Sequence, residues 1–121
     1  MTGAAASLLL EPIKTQPGFA HVRRGKRWVT PGFVMQTAPR PERTQSIGYG
    51  LIVSRKAGNA VVRNRIKRRL RALAQELLPR HGQPGHDLVL IGRTAARNRP
   101  FAMLEKDFIW ALKRLDIKRS D

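Results

Sequence analysis

The stretch Gly58 to Leu78, GNAVVRNRIKRRLRALAQELL, constrains the fold more than any other part of the chain. At about 100° per residue, Val62, Ile66, Leu70, Leu73 and Leu77 fall within one narrow arc of a helical wheel. Asn64, Arg65, Lys67, Arg68 and Arg71 occupy the opposite half, while Arg63 and Arg69 flank the apolar stripe. The pattern predicts an amphipathic helix that lays its apolar side on a core. Asn59 suits the N-cap, because its side chain can accept a bond from an otherwise unpaired helix N–H. Pro79 disfavours helical geometry at Leu78, which predicts a helix end near Leu77.

The charge on this helix sits where it costs most. Its first two turns hold Arg63, Arg65, Lys67 and Arg68 with no acid. The positive end of the helix dipole favours acids there, and each misplaced cation costs about 0.3–1 kcal/mol. Glu76 is the sole acid of the segment, so the i,i+4 pairs of an ordinary solvated helix are missing. A polyanionic partner accounts for that arrangement, and the rest of the chain agrees. Lys and Arg number 24 against 8 Asp and Glu, a formal charge of +16. No acid lies between Glu11 and Glu42, nor between Glu42 and Glu76. Self-repulsion of this size is a plain cost without a polyanion to offset it.

A chain of 121 residues suits one domain, and a hydrophobic share of 41% suffices for a packed core. With no cysteine, disulfides and thiolate metal sites are excluded. No apolar run approaches the ~18 residues of a membrane span. The opening MTGAAASLLLEP lacks the basic start and long apolar run of a signal peptide, so a cytoplasmic location is expected.

Taken in order, Met1 to Glu11 has no clear period and is expected to be a flexible, fraying segment, with a single nucleic-acid-binding domain over residues 12–121. Phe19 and Val22 sit i,i+3 apart on a short helix ending near Gly25. Arg23, Arg24, Lys26 and Arg27 follow as a basic corner. Gly32 to Thr37 reads as a strand with Phe33 and Met35 on one face and Val34 and Gln36 on the other. Ala38 to Gln45 reads as a loop, and Ile47 to Ser54 as a second strand. Arg55 to Gly58 turns into the basic helix, and Pro79 to His86 is a second loop. Leu88 to Ile91 is continuously apolar, as in a strand covered on both faces. Pro100 can occupy the first turn of a last helix, whose core side carries Phe101, Leu104, Phe108, Ala111, Leu112 and Leu115. The class is α+β, a small mainly antiparallel sheet with helices packed against it.

No catalytic machinery of protein type is visible. His21, His81 and His86 lack metal-ligand spacing, and no two acids are placed for acid–base work. A free-standing nuclease is disfavoured by the missing acidic metal ligands. IGYGLIVS partly matches the RNA-recognition-motif pattern, but Ile47, Leu51 and Ser54 replace its key positions and leave little stacking platform.

One match spans two-thirds of the chain. Val53-Ser54-Arg55-Lys56, Gly58-Asn59-Ala60-Val61 and Arg63-Asn64-Arg65-Ile66-Lys67-Arg68, followed by Leu70-Arg71, resemble the signature of the bacterial ribonuclease P protein component. The central Arg-Asn-Arg and the preceding Gly-Asn-Ala-Val are its specific part. The resemblance implies the fold of the second domain of a small-subunit ribosomal protein, in the order αβββαβα with a left-handed crossover. That handedness is rare among parallel connections. It also implies an accessory subunit of an endoribonuclease, with no catalytic residue and no resolved metal site on the protein. In that family a catalytic RNA holding Mg²⁺ removes the 5′ leader of precursor tRNA. Carried over by position, Arg63, Asn64, Arg65, Lys67, Arg68 and Arg71 contact ribonuclease P RNA. Phe19, Val34 and Gln36 line a cleft for the leader, with Arg55 and Lys56 near its phosphates. Neither a membrane nor a small-molecule cofactor is implied.

Two departures bear on the cleft. A second aromatic one turn after Phe19 is replaced by Arg23 or Arg24, and an aromatic on the early strand by Gln36. Aromatic stacking is worth roughly 1–3 kcal/mol per base, so phosphate charge is expected to carry more of leader binding here. Within the basic helix, Arg63 is expected to reach past the N-terminus, and Arg65 to face RNA without packing on the core. The alternative reading is a basic structural RNA-binding protein of ribosomal type with no role in cleavage.

Overall fold

Phe33 and Met35 are fully buried on one side of a strand whose other side carries Val34, Gln36 and Ala38. That alternation sets the two faces of the sheet on which everything else is placed. The computed structural model describes residues 9–13, 16–40 and 46–119. Its elements are β1 (Leu9–Pro12), α1 (Gln16–Arg23), β2 (Lys26–Val29), β3 (Phe33–Pro39), β4 (Ser46–Ile52), α2 (Ala60–His81), β5 (His86–Gly92) and α3 (Phe101–Arg114). Short 3-10 turns at Arg55–Ala57 and Thr94–Arg97 precede α2 and α3. The strands form one five-stranded sheet in the order β1-β4-β5-β3-β2.

The α+β class stands, and the sheet is evenly mixed rather than mainly antiparallel. β1 and β5 both run parallel to β4, whereas β3 is antiparallel to β5 and to β2. The β4–α2–β5 crossover gives one parallel pair, because the helix carries the chain back to the end of the sheet where β4 began. The other comes from the amino-terminal strand. Leu9–Pro12 lies within and beside the segment expected to fray, and it is a strand paired with Ser46 to Tyr49. Leu10 packs on the core from this edge. Residues 1–8, on which the rest of that expectation falls, lie outside the described residues, as do residues 41–45 of the expected loop.

One face of the sheet carries the core. Met35, Ile47, Leu88 and Leu90 meet Ile66, Leu70, Leu73 and Leu77 of α2. The same cluster takes in Leu104, Phe108, Ala111 and Leu112 of α3. The rings of Phe33 and Phe108 lie 6.0 Å apart at a tilt of 53°. α1 packs against β3 and β5 on the opposite face and fully buries Val22.

Two further expectations need correcting. The basic corner after α1 is in part strand β2, Lys26–Val29, paired with Val34 to Thr37. Of its four residues only Trp28 is even partly buried, so charge on the exposed positions masks the alternation. The second concerns Pro79, which lies inside α2 rather than beyond its end. Proline at this point removes one backbone donor from the last turn. Burial of Leu78, the capping bond from Gly82 N to Leu78 O and the Arg119 bonds to the carbonyls of Pro79 and His81 hold that turn together.

Candidate nucleic-acid interface

α2 starts as its sequence requires. Asn59 Oδ1 accepts from Val62 N at 3.0 Å, and Gly58 adopts φ 149°, a conformation that favours glycine. With Ile66, Leu70 and Leu73 buried, Asn64, Arg65, Arg68 and Arg71 are exposed on the outer side, and Lys67 and Arg63 are half-buried. The six expected RNA contacts therefore lie along one helix, four of them fully presented to solvent. Arg63 folds back, and its Nη1 donates to the Gly58 carbonyl at 3.2 Å. Its reach to the helix start is as expected, and it ends on a protein carbonyl.

Part of this basic surface is spent on the protein itself. Arg65 Nε donates to the Arg97 carbonyl at 2.9 Å. Arg69, flanking the stripe, donates to the carbonyls of Ala96 and Arg99 and lies 6.0 Å from the Phe101 ring centre. Burial, and then the charge of Arg65, lowers the Arg69 pKa from the usual arginine value. Arg99 in turn pairs with Asp107 at 2.7 Å. These bonds bring the turn Thr94–Arg97 against α2 and place exposed Arg97 beside the helix cations. Neither Arg69 nor Arg97 was among the expected site residues. The run Arg93, Arg97, Arg99 was their only signal in the sequence.

The other sheet face holds a cleft of about 420 Å³ lined by Phe19, Arg23, Gln36, Ile52, Val89 and Ile91. Gly50 makes it possible, since a Cβ there would stand 2.7 Å from Phe19 Cε1. Phe19 thus lies against the sheet where any larger residue at position 50 would push it away. The end of α1 is tied down nearby. His21 Nε2 donates to the Pro39 carbonyl at 2.9 Å and lies 3.8 Å from Asp87, which pairs with Arg40 at 3.1 Å. Gln36 is 7% exposed, and its amide has no hydrogen-bond partner among the described residues. Arg23 takes the wall position where the resemblance led one to look for an aromatic, and Arg24 lines a separate hollow.

The remaining leader-site expectations separate. Val34 shares the Gln36 face, paired across the sheet with Val29 and Ile91, but does not line the cleft. Lys56 lines a neighbouring hollow of about 330 Å³ with Ser54, Arg93 and Thr94. Arg55 is exposed at the start of the 3-10 turn and lines neither space.

A helix of presented cations on one sheet face, and on the other a cleft with a cationic wall, fit a nucleic acid, and comparison with known proteins gives the family. The family model for ribonuclease P matches residues 10–116. The chain belongs to the ribonuclease P protein family. Among its relatives, the ribonuclease P protein component of Erythrobacter litoralis is 44% identical over 84% of this chain and 83% of its own. That of Paramagnetospirillum magneticum is 38% identical over 88% and 83%. The ribonuclease P protein of Staphylococcus aureus, a solved structure, superposes with a TM-score of 0.74 at 27% identity, covering 89% of this chain and 97% of that one. Relative to the family order αβββαβα, the chain adds β1 at the sheet edge. No described helix is long and apolar enough to cross a membrane.

Proposed function

We propose that the chain acts as the accessory protein subunit of ribonuclease P in the cytoplasm, binding the catalytic RNA and the 5′ leader of precursor tRNA. The observation that carries this reading is the division of labour between the two sheet faces. On one side α2 presents Asn64, Arg65, Arg68 and Arg71, a row of cations and an amide facing solvent. On the other, α1 and the sheet enclose a cleft with an aromatic floor, a free amide and Arg23 at its wall. The first arrangement suits the phosphates of a large folded RNA, from which bound counterions are released. The second suits a short single strand, read loosely by stacking and charge. The hydrolytic chemistry, with its Mg²⁺, belongs to the RNA in this reading. The protein screens repulsion between two polyanions and holds the leader.

Cleavage of precursor tRNA by a bacterial ribonuclease P RNA, at low Mg²⁺ with and without the protein, tests the reading. Stimulation is expected with the protein, and no cleavage by the protein alone. Co-sedimentation with ribosomes without any stimulation would overturn it in favour of a ribosomal-type role.

A further inference from the structure

The β2 edge of the sheet carries a cluster that neither of these surfaces uses. Arg114, in the last turn of α3, sets its guanidinium 4.9 Å from the Trp28 ring centre and 5.8 Å from that of Trp110. Trp28 is half-buried between β2 and α3, so packing explains its contact with Arg114. Packing does not explain Trp110, which is 51% exposed. The outer side of α3 repeats the theme, with Met103, Lys106, Trp110 and Lys113 spaced i, i+3, i+7 and i+10, all exposed. The helix acids stand elsewhere. Asp107 is paired with Arg99, and Glu105 is half-buried off this stripe. Among the described residues Arg114 has no carboxylate partner.

The mixture decides the ligand class. Protein–protein interfaces are rich in tryptophan and arginine but depleted of lysine at their centres. Here Lys106 and Lys113 stand one turn to either side of the exposed indole. A planar π-faced group with phosphates flanking it matches both features. We propose that Trp110, seated on Arg114, is a stacking platform for an unpaired base of single-stranded RNA, with Lys106 and Lys113 holding the adjoining phosphates. α3 packs on α2 as well as on β2, and the cluster lies on its β2 side, where Arg114 meets Trp28. It lies beyond the ribonuclease P reading and shares with it only the choice of RNA as ligand.

The chain contains two tryptophans, both in this cluster, so its intrinsic fluorescence reports on the site directly. The whole protein is titrated with an unstructured oligoadenylate octamer, and quenching is followed. Saturable quenching is expected, and its loss in Trp110→Phe, where only shielded Trp28 remains. Lys106→Gln and Lys113→Gln should each raise the midpoint about 5-fold at about 0.1 M salt, the single-strand counterion slope applied to one phosphate. Arg80→Gln, an exposed cation at the far end of α2, should leave the midpoint unchanged. Absence of quenching at saturating RNA overturns the site, as does quenching that survives in Trp110→Phe or a midpoint that shifts as far in Arg80→Gln as in the α3 lysine variants. Self-association of the free protein abolished by Trp110→Ala also overturns it, in favour of a second copy of the chain. Failure here with precursor-tRNA cleavage still stimulated leaves the subunit reading standing, and the converse result removes that reading alone.

Discussion

Arg69 Nη2 donates to the carbonyl of Arg99 at 2.7 Å, across 30 residues of chain. Its other terminal nitrogen holds Ala96 O, so a single guanidinium ties the turn Thr94–Arg97 to the segment that leads into α3. The basic helix therefore has two kinds of cation. Arg69, and to a lesser extent Arg65 and Arg63, satisfy carbonyls of the fold. Arg68 and Arg71 have no protein carbonyl or carboxylate to hold among the described residues and are left for a ligand. Fold and function draw on one run of sequence, which explains why the helix tolerates an acid-free N-terminus.

This division predicts unequal effects along the helix. Arg69→Ala removes two charge-assisted bonds and leaves two carbonyls unpaired, a loss of about 2–3 kcal/mol and a Tm drop on the order of 10 °C. Arg65→Ala should lower RNA affinity with only a small stability change, because its bond to Arg97 is exposed. Arg63→Ala should lower both, through its half-buried stem and the Gly58 bond. Thermal melts and RNA titrations of the three variants at one salt concentration check the order. Equal melting temperatures would show that Arg69 is no more structural than its neighbours.

Affinity for ribonuclease P RNA should fall steeply with salt. If ~5 phosphates are neutralised, the log–log slope lies near −3.5 to −4.5. Arg68→Ala with Arg71→Ala should flatten it by about 1.4–1.8 while leaving the melting temperature nearly unchanged. A slope that does not move would place the RNA on another face of the protein.

Gly50→Ala tests the cleft from below. The added methyl would stand 2.7 Å from the Phe19 ring, so the ring must move from its place against the sheet. Overpacking of this kind costs about 1–3 kcal/mol. In the holoenzyme, the preference for precursor over mature tRNA should shrink, while binding of mature tRNA stays constant. Equal losses for both RNAs would mean that the substitution acts through global stability.

What could be read from the sequence was whatever depends on near neighbours. The stripe Ile66, Leu70, Leu73, Leu77 and the Asn59 cap are local patterns, and the structure contains both. The alternation of Phe33 to Gln36 is local too, and it assigned Gln36 to the face that forms the cleft. β2 escaped notice because Lys26, Arg27 and Val29 are exposed and only Trp28 signals burial. β1 escaped because its partner begins at Ser46, and a parallel pairing leaves no turn between the strands. The arginine clamps escaped for a similar reason. Arg65 and Arg69 bond to backbone carbonyls 27 to 32 residues away, and a carbonyl acceptor has no residue type to recognise.

Gln36 offers the sharpest test of how the cleft holds a leader. Its amide has no partner among the described residues, and Phe19 and Arg23 line the same cleft. If binding is limited by the shortage of aromatic surface, Gln36→Tyr should strengthen it, since the cleft of about 420 Å³ has room for a ring. Stacking of one base would add about 1–3 kcal/mol, raising the ratio of precursor to mature tRNA affinity roughly 5- to 150-fold. Arg23→Gln should instead lower that ratio and weaken its salt dependence by about one phosphate contact. Gln36→Leu separates stacking from hydrogen bonding, because it keeps the bulk and removes the amide. A gain for tyrosine with little change for leucine means that the cleft lacks only a second ring. A loss for both means that the amide itself reads a base edge, and the cleft then selects by hydrogen bonding where stacking would have been indifferent to sequence.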